Sequence, residues 1–289
     1  MQTAPFDYYR PSSLGEAVDL LTSVEGARPI AGGHSLLPAM KLRVATPAAL
    51  VDLGRIPDLN TISRQGDSLV IGALTTHAAV AASDLANADC PVLADTAAHI
   101  GDPQVRNRGT IGGSLAHADP AADYPTLMRT LGATIHVTGA DGGERSIPAD
   151  DFFLGLFSTG LEAGELVTSV EVPVMAAGQA GVYLKHRHPA SSYAVVGVAA
   201  VVTVDGGSCT AAAIGVGGVT GKPERAGAAE AALVGQAPSG DAIAASAGQV
   251  GADLANPIGD HYASGEYRVH LASVLAKRAL TEAFGGLAS

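Results

Sequence analysis

Two short segments of this 289-residue chain combine a glycine pair with hydroxyl side chains: Ala31-Gly32-Gly33-His34-Ser35 and Thr110-Ile111-Gly112-Gly113-Ser114. A Gly-Gly pair can aim successive N–H groups into one concavity, a nest suited to phosphate oxygens. The hydroxyls of Ser35, Thr110 and Ser114 would add donors. Neither segment contains Lys or Arg, so dipoles rather than full charges would hold the anion. Two such loops could clamp a diphosphate from both sides. Two tight turns account for the same residues equally well, and spacing alone does not choose between the readings.

Other candidate motifs fall short. Gly217-Gly218-Val219-Thr220-Gly221-Lys222-Pro223 has Val216 where a phosphate loop needs its first Gly and Pro223 where it needs a hydroxyl. A dinucleotide fingerprint starting at Gly215 fails at Thr220, so the segment reads as a strand-to-helix turn. HExxH, CxxC and GxSxG are all absent. His186 and His188 would share one face of a strand, but two nitrogens do not complete a metal site. Cys90 and Cys209 read as small apolar residues. The sequence therefore predicts neither a metal site nor an acid–base catalytic pair.

The elements around the two glycine segments are legible. Ser13-Leu14-Gly15-Glu16 is a capping-box pattern opening a helix that breaks near Gly26. Arg28 to Ala31 reads as a strand entering the first segment, with a helix from Leu36 to Leu42 leaving it. Strands follow at Ala49–Leu53 and Leu69–Ile71, with Thr75-Thr76 capping an Ala-rich helix and a further helix over Val92–Ile100. Gly101 to Arg108 is predicted irregular. A helix over Tyr124–Leu131 and strands over Ala133–Thr138 and Leu166–Val172 come next, the last ended by Pro173. Small residues from Met175 to Ala180 suggest a boundary, giving domains 1–175 (lobes about 1–53 and 54–175) and 180–289. In the second, three strand-like stretches (Gly181–Arg187, Ala194–Val204, Cys209–Val219) precede helices. The last helix, Tyr267 to Phe284, carries an apolar stripe of Leu271, Val274, Leu275 and Ala279. Strands followed by helices imply an α+β module with a three-stranded antiparallel sheet.

Composition narrows the function. Hydrophobic residues make up 47%, which suits a folded core. The net charge of −11, with no basic run, argues against nucleic-acid binding. The longest apolar run, Ala194 to Val204, is shorter than the roughly 20 residues of a spanning helix. The N-terminus lacks an export pattern, and two cysteines fit a reducing cytoplasm while being too few for an iron–sulfur cluster.

Ala31 to Pro38 (AGGHSLLP) and Arg106 to Pro125 (RNRGTIGGSLAHADPAADYP) together resemble the flavin-binding signatures of the medium subunits of molybdenum-containing hydroxylases. The carbon monoxide dehydrogenase medium-subunit group is nearest. The likeness runs from Pro5-Phe6-Asp7-Tyr8 through Glu171-Val172-Pro173 and Tyr183-Leu184-Lys185 to the last helix.

The resemblance implies a two-lobed FAD-binding domain of the vanillyl-alcohol-oxidase (PCMH) type, followed by the smaller C-terminal domain. FAD would lie between the lobes. Ala31, Gly32, Gly33, His34, Ser35, Leu36 and Leu37, with Thr110, Ile111, Gly112, Gly113 and Ser114, would hold its pyrophosphate. Asp123 would accept from the adenosine ribose, Leu166 would pack near the flavin or adenine, Lys185 would sit near the isoalloxazine and Tyr193 would cover one ring face. Taken alone, Asp123 reads as a helix cap, Lys185 as a surface charge and Tyr193 as a half-buried aromatic. Partners implied by the resemblance are a small subunit with [2Fe–2S] centres and a large molybdopterin subunit, in a dimer of heterotrimers. Electrons would leave to a quinone or NAD. A cytoplasmic location follows, any membrane association coming through the complex. The same role in a xanthine, nicotine, N-heterocycle or aldehyde dehydrogenase is the alternative, ahead of a self-sufficient flavin oxidase or a non-enzymatic binding protein.

Overall fold

A computed structural model describes residues 2–287. The chain begins with a small parallel sheet in the order Asp7–Tyr9, Ala49–Asp52, Ala27–Ile30. Ala49, Leu50 and Val51 form its centre and are all buried, as expected of a parallel strand covered on both faces. The Leu14–Ser23 helix buries Ala17 and Val18. Its Ser13 cap accepts from the Glu16 amide at 3.2 Å, but Glu16 reaches back to the Ser12 amide rather than to that of Ser13.

The second lobe is a five-stranded antiparallel sheet ordered Ile62–Gln65, Ser68–Gly72, Leu166–Pro173, Thr134–Thr138, Glu144–Pro148. Leu166–Pro173 is its central strand. The Pro91–Ala98, Ile111–His117 and Asp123–Leu131 helices bury Leu93, Leu115, Leu127 and Met128 in one core with Ile71, Ile135 and Val170. The stretch expected to be irregular holds a helical turn at Pro103–Arg106, because Asp102 caps it by accepting from the Val105 amide at 2.8 Å.

The C-terminal sheet is antiparallel with four strands, not three: Gln179–Arg187, Ala194–Asp205, Ser208–Gly217 and Glu224–Arg225. The fourth has only two residues, too short to carry an alternating pattern. In the segment read as a linker the Met175 amide donates to the Asp89 carbonyl at 2.8 Å and that of Gln179 to Ala176 at 3.1 Å, and Gln179 and Ala180 already belong to the first strand of this sheet. The Gly265–Leu287 helix covers the sheet. Its buried stripe includes Ala272, Leu275, Ala276 and Ala279, while Leu271 and Val274 are only half-buried. Alanines let the helix approach the strands, so the contact line shifts away from the larger residues.

Candidate functional site

A cleft of about 520 Å³ opens between the parallel and antiparallel sheets, within the size range of ligand pockets. Ser191, Ser192 and Tyr193 of the C-terminal region complete its wall.

The first glycine segment turns the chain from the Ala27–Ile30 strand into the Leu36–Lys41 helix, with Gly33 at φ +77°. A Cβ on Gly32 would overlap the Arg108 carbonyl oxygen and lie 2.8 Å from the Gly109 Cα. The first glycine segment thus touches, through bare backbone, the two residues that lead into the second. Among the described residues, nothing accepts from the amides of Gly32, Gly33, His34, Ser35 and Leu36. Buried or half-buried amides nearly always find a partner. The Ser35 and Leu36 amides are free as at any helix start, and with those of Gly32 to His34 they leave a run of donors on a cleft wall that can receive the oxygens of an anion.

The second segment is built differently. Thr110 caps the Ile111–His117 helix, its Oγ1 accepting from the Gly113 amide at 3.2 Å. The Ile111 amide donates to the Thr75 carbonyl at 3.0 Å, that of Gly112 to Ala73 at 2.9 Å, and that of Ser114 to Thr110 at 3.0 Å. Helix-start amides are normally free. Here the helix abuts the residues that follow the Ser68–Gly72 strand, and the Thr75 and Ala73 carbonyls engage its first two amides, so of the expected second nest only the Thr110 amide is without an acceptor among the described residues. Gly112 serves this contact, since a Cβ would overlap that of Ala73 and lie 2.8 Å from its carbonyl oxygen. Along this wall the cleft is lined by Gly109, Thr110, Gly112, Gly113 and Ser114, so glycine backbone stands there beside two hydroxyl-bearing residues.

Ala31, His34, Leu36, Gly112, Gly113, Asp123, Leu166 and Tyr193 also line the cleft, whereas Leu37, Ile111 and Lys185 do not. Leu37 packs under Gly33, and Ile111 lies in the core of the antiparallel lobe. Lys185 Nζ is 2.9 Å from both oxygens of Asp123, and Oδ1 also accepts from the Tyr183 hydroxyl at 2.7 Å. The Asp123 carboxylate is thus engaged from behind the wall, and Asp123 starts its helix one residue after the Ala122 cap. Burial pushes the Asp123 carboxyl up and the Lys185 ammonium down, against their mutual attraction. Tyr193 is part-exposed, and its hydroxyl interacts with the Ser35 side chain, joining the C-terminal region to the first segment.

Sequence reasoning missed His77, His117 and Phe157. His77 directly follows the Thr76 cap, and burial lowers its imidazole to about 4. His117, inside the second signature, ends the Ile111–His117 helix and meets the Phe157 ring at 5.1 Å. His186 and His188, the pair weighed for metal, both pack on Tyr262, at 6.2 and 4.8 Å between ring centroids.

Residues 4–175 match the family model described as the FAD binding domain in molybdopterin dehydrogenase. Residues 182–283 match the CO dehydrogenase flavoprotein C-terminal domain. The chain belongs to the molybdopterin-dehydrogenase flavoprotein family. It is 43% identical to the carbon monoxide dehydrogenase medium chain of Afipia carboxidovorans, over 96% of each chain. Against the glyceraldehyde dehydrogenase medium chain of Sulfolobus acidocaldarius it is 38% identical, over 98% of this chain and 99% of the other. A solved carbon monoxide dehydrogenase from Hydrogenophaga pseudoflava, lacking the Mo-pyranopterin moiety, superposes with a TM-score of 0.95 at 41% identity, over 99% of each chain. As a member of this flavoprotein family the chain is an oxidoreductase subunit carrying an FAD-binding domain, with the α+β fold of carbon monoxide dehydrogenase medium chains. No helix among the described residues is long and apolar enough to cross a membrane. The donor set fits the cofactor: consecutive residues with free amides line the cleft, as do the hydroxyl-bearing Thr110 and Ser114.

Proposed function

We propose that this chain is the FAD-holding electron-transfer subunit of a molybdenum-containing dehydrogenase, placed between the 2Fe–2S clusters of a small partner subunit and an external acceptor, a quinone or NAD. The large partner would hold the molybdenum cofactor and choose the substrate. Carbon monoxide is the preferred substrate of the complex, because the medium chain of a carbon monoxide dehydrogenase is 43% identical. A dimer of heterotrimers is the proposed assembly.

The observation that carries this reading is the run of free amides from Gly32 to Leu36 on the cleft wall. These amides would bind the pyrophosphate, with the Thr110 and Ser114 hydroxyls opposite. Tyr193 would cover the ring and limit water there, and Leu166 would pack against it. FAD, when bound, supplies the exchange between one-electron and two-electron transfer. The chain's own share is to bind and orient it.

The test uses the chain alone and co-expressed with its two partners. Flavin bands near ~375 and ~450 nm are expected in the complex, as properties of the cofactor itself. Substrate should bleach them in the complex only. Bleaching by substrate in the isolated chain would identify a self-sufficient oxidase, and a flavin-free complex would remove the proposal altogether.

A further inference from the structure

On the second wall the amides of Ile111 to Ser114 are engaged, so besides the Thr110 amide and the Thr110 and Ser114 hydroxyls a further donor on that side has to be a side chain. His77 stands there. It opens the His77–Ala81 helix behind Thr76, whose Oγ1 accepts from the Ala79 amide at 3.2 Å. Its own amide donates to the Gly109 carbonyl at 2.9 Å, which fixes it beside the second glycine segment. The residue is 5% exposed, yet it lines the cleft. One side of the ring lies against Tyr124, 5.3 Å between centroids. Nε2 lies against Gly109, 2.5 Å from where a Cβ would be, so only glycine at that position lets the imidazole stand at the wall.

The two ring nitrogens have different surroundings. Nδ1 is sealed from solvent without a partner among the described residues, and Nε2 is not. A neutral imidazole carries one N–H and one lone pair. With the proton on Nε2, the donor is on the ring nitrogen that is not sealed, in a residue that lines the cleft, and the sealed atom is the lone pair.

We infer that His77 is a cofactor-positioning residue: its Nε2–H donates to a diphosphate oxygen of the bound dinucleotide, in place of the main-chain amides engaged on that wall. This rests on the FAD reading above. The charged or titratable neighbours of the ring are His34, Arg106 and Tyr124; none is a carboxylate that could draw a proton onto it. Without ligand the imidazole is therefore neutral at physiological pH, its value held at about 4 by burial. A doubly charged diphosphate beside it would raise that value.

The full-length chain, with FAD as the probe, provides the test. His77→Gln places an amide N–H near the Nε2 position and should bind FAD within a few-fold of wild type. His77→Phe keeps the packing on Tyr124 without the donor and should weaken binding about 10- to 100-fold, the usual cost of a hydrogen bond to a charged group. His77→Asn, whose amide reaches only the Nδ1 position, should resemble the Phe variant. Independently of any variant, the His77 proton resonances of the wild-type chain should titrate at a higher pH once FAD is bound. Equal affinity of wild type and His77→Phe, or an unmoved titration in FAD-bound chain, overturns the assignment while leaving the FAD reading intact. A wild-type chain and complex that bind no FAD overturn both.

Discussion

Asp123 and Lys185 bolt the C-terminal sheet to the helix at the cleft floor, and removing one partner should reveal how much that bolt holds. Lys185 is 3% exposed and Asp123 5%, with Nζ 2.9 Å from the carboxylate. At an effective dielectric near 20, two unit charges about 3 Å apart attract by about 6 kcal/mol. Burial nevertheless shifts both groups toward their neutral forms, so desolvation offsets the attraction and the intact pair adds little net stability. Breaking it is another matter. Asp123→Asn strands a buried ammonium, and the cost should be about 3–5 kcal/mol. Lys185→Met strands the carboxylate at a similar cost. In the double variant, Asp123→Asn with Lys185→Met, no charge remains and the carboxamide can still accept from Tyr183. It should lose only about 1–2 kcal/mol. Urea unfolding of the apo chain, followed by tyrosine fluorescence and by circular dichroism, would measure all four proteins. A double variant whose loss equals the sum of the singles would refute the reasoning, as would a single loss below about 1 kcal/mol.

Gly112→Val should lower the apo melting temperature, because the new side chain meets Ala73 rather than the cofactor. FAD content would fall only with folded protein; a folded, fully stable variant devoid of FAD would contradict this. Gly33→Ala, at φ +77° and with Cβ 2.9 Å from Leu37 Cδ1, should cost about 1–2 kcal/mol in thermal unfolding and weaken FAD binding. For His77 the native value lies below that of the unfolded chain, so the native state prefers the neutral ring. Its contribution is complete above about pH 6.5 and declines as pH falls towards 4, amounting to about 3 kcal/mol. His77→Gln should remove that slope from the pH dependence of apo stability, and an unchanged slope would count against it. Tyr193→Ala should leave FAD bound but raise its quenching by iodide; equal quenching would place the tyrosine away from the ring.

Much of the scaffold could be read from local patterns. The Ser13 cap, the helix from Leu36, the Thr76 cap and the long strand from Ala194 each declare themselves through residues close in sequence. The first glycine segment was legible for the same reason, since its turn is local. The second misled because two of its amides, those of Ile111 and Gly112, are engaged by Thr75 and Ala73, more than thirty positions away. Lys185 misled similarly. A lone lysine on a strand does not announce a carboxylate 62 residues earlier. His77 carried no local signal beyond following a cap, because its role depends on Gly109 from another segment.

The bare-backbone contact between Gly32 and Arg108–Gly109 constrains how this flavoprotein can be re-engineered. Neither half of the cradle is an independent module. A chimera that borrows one half from a relative while retaining the resident counterpart must preserve a fit with no side chain to absorb error. Such exchanges should succeed when both halves travel as a matched pair and fail when they travel singly.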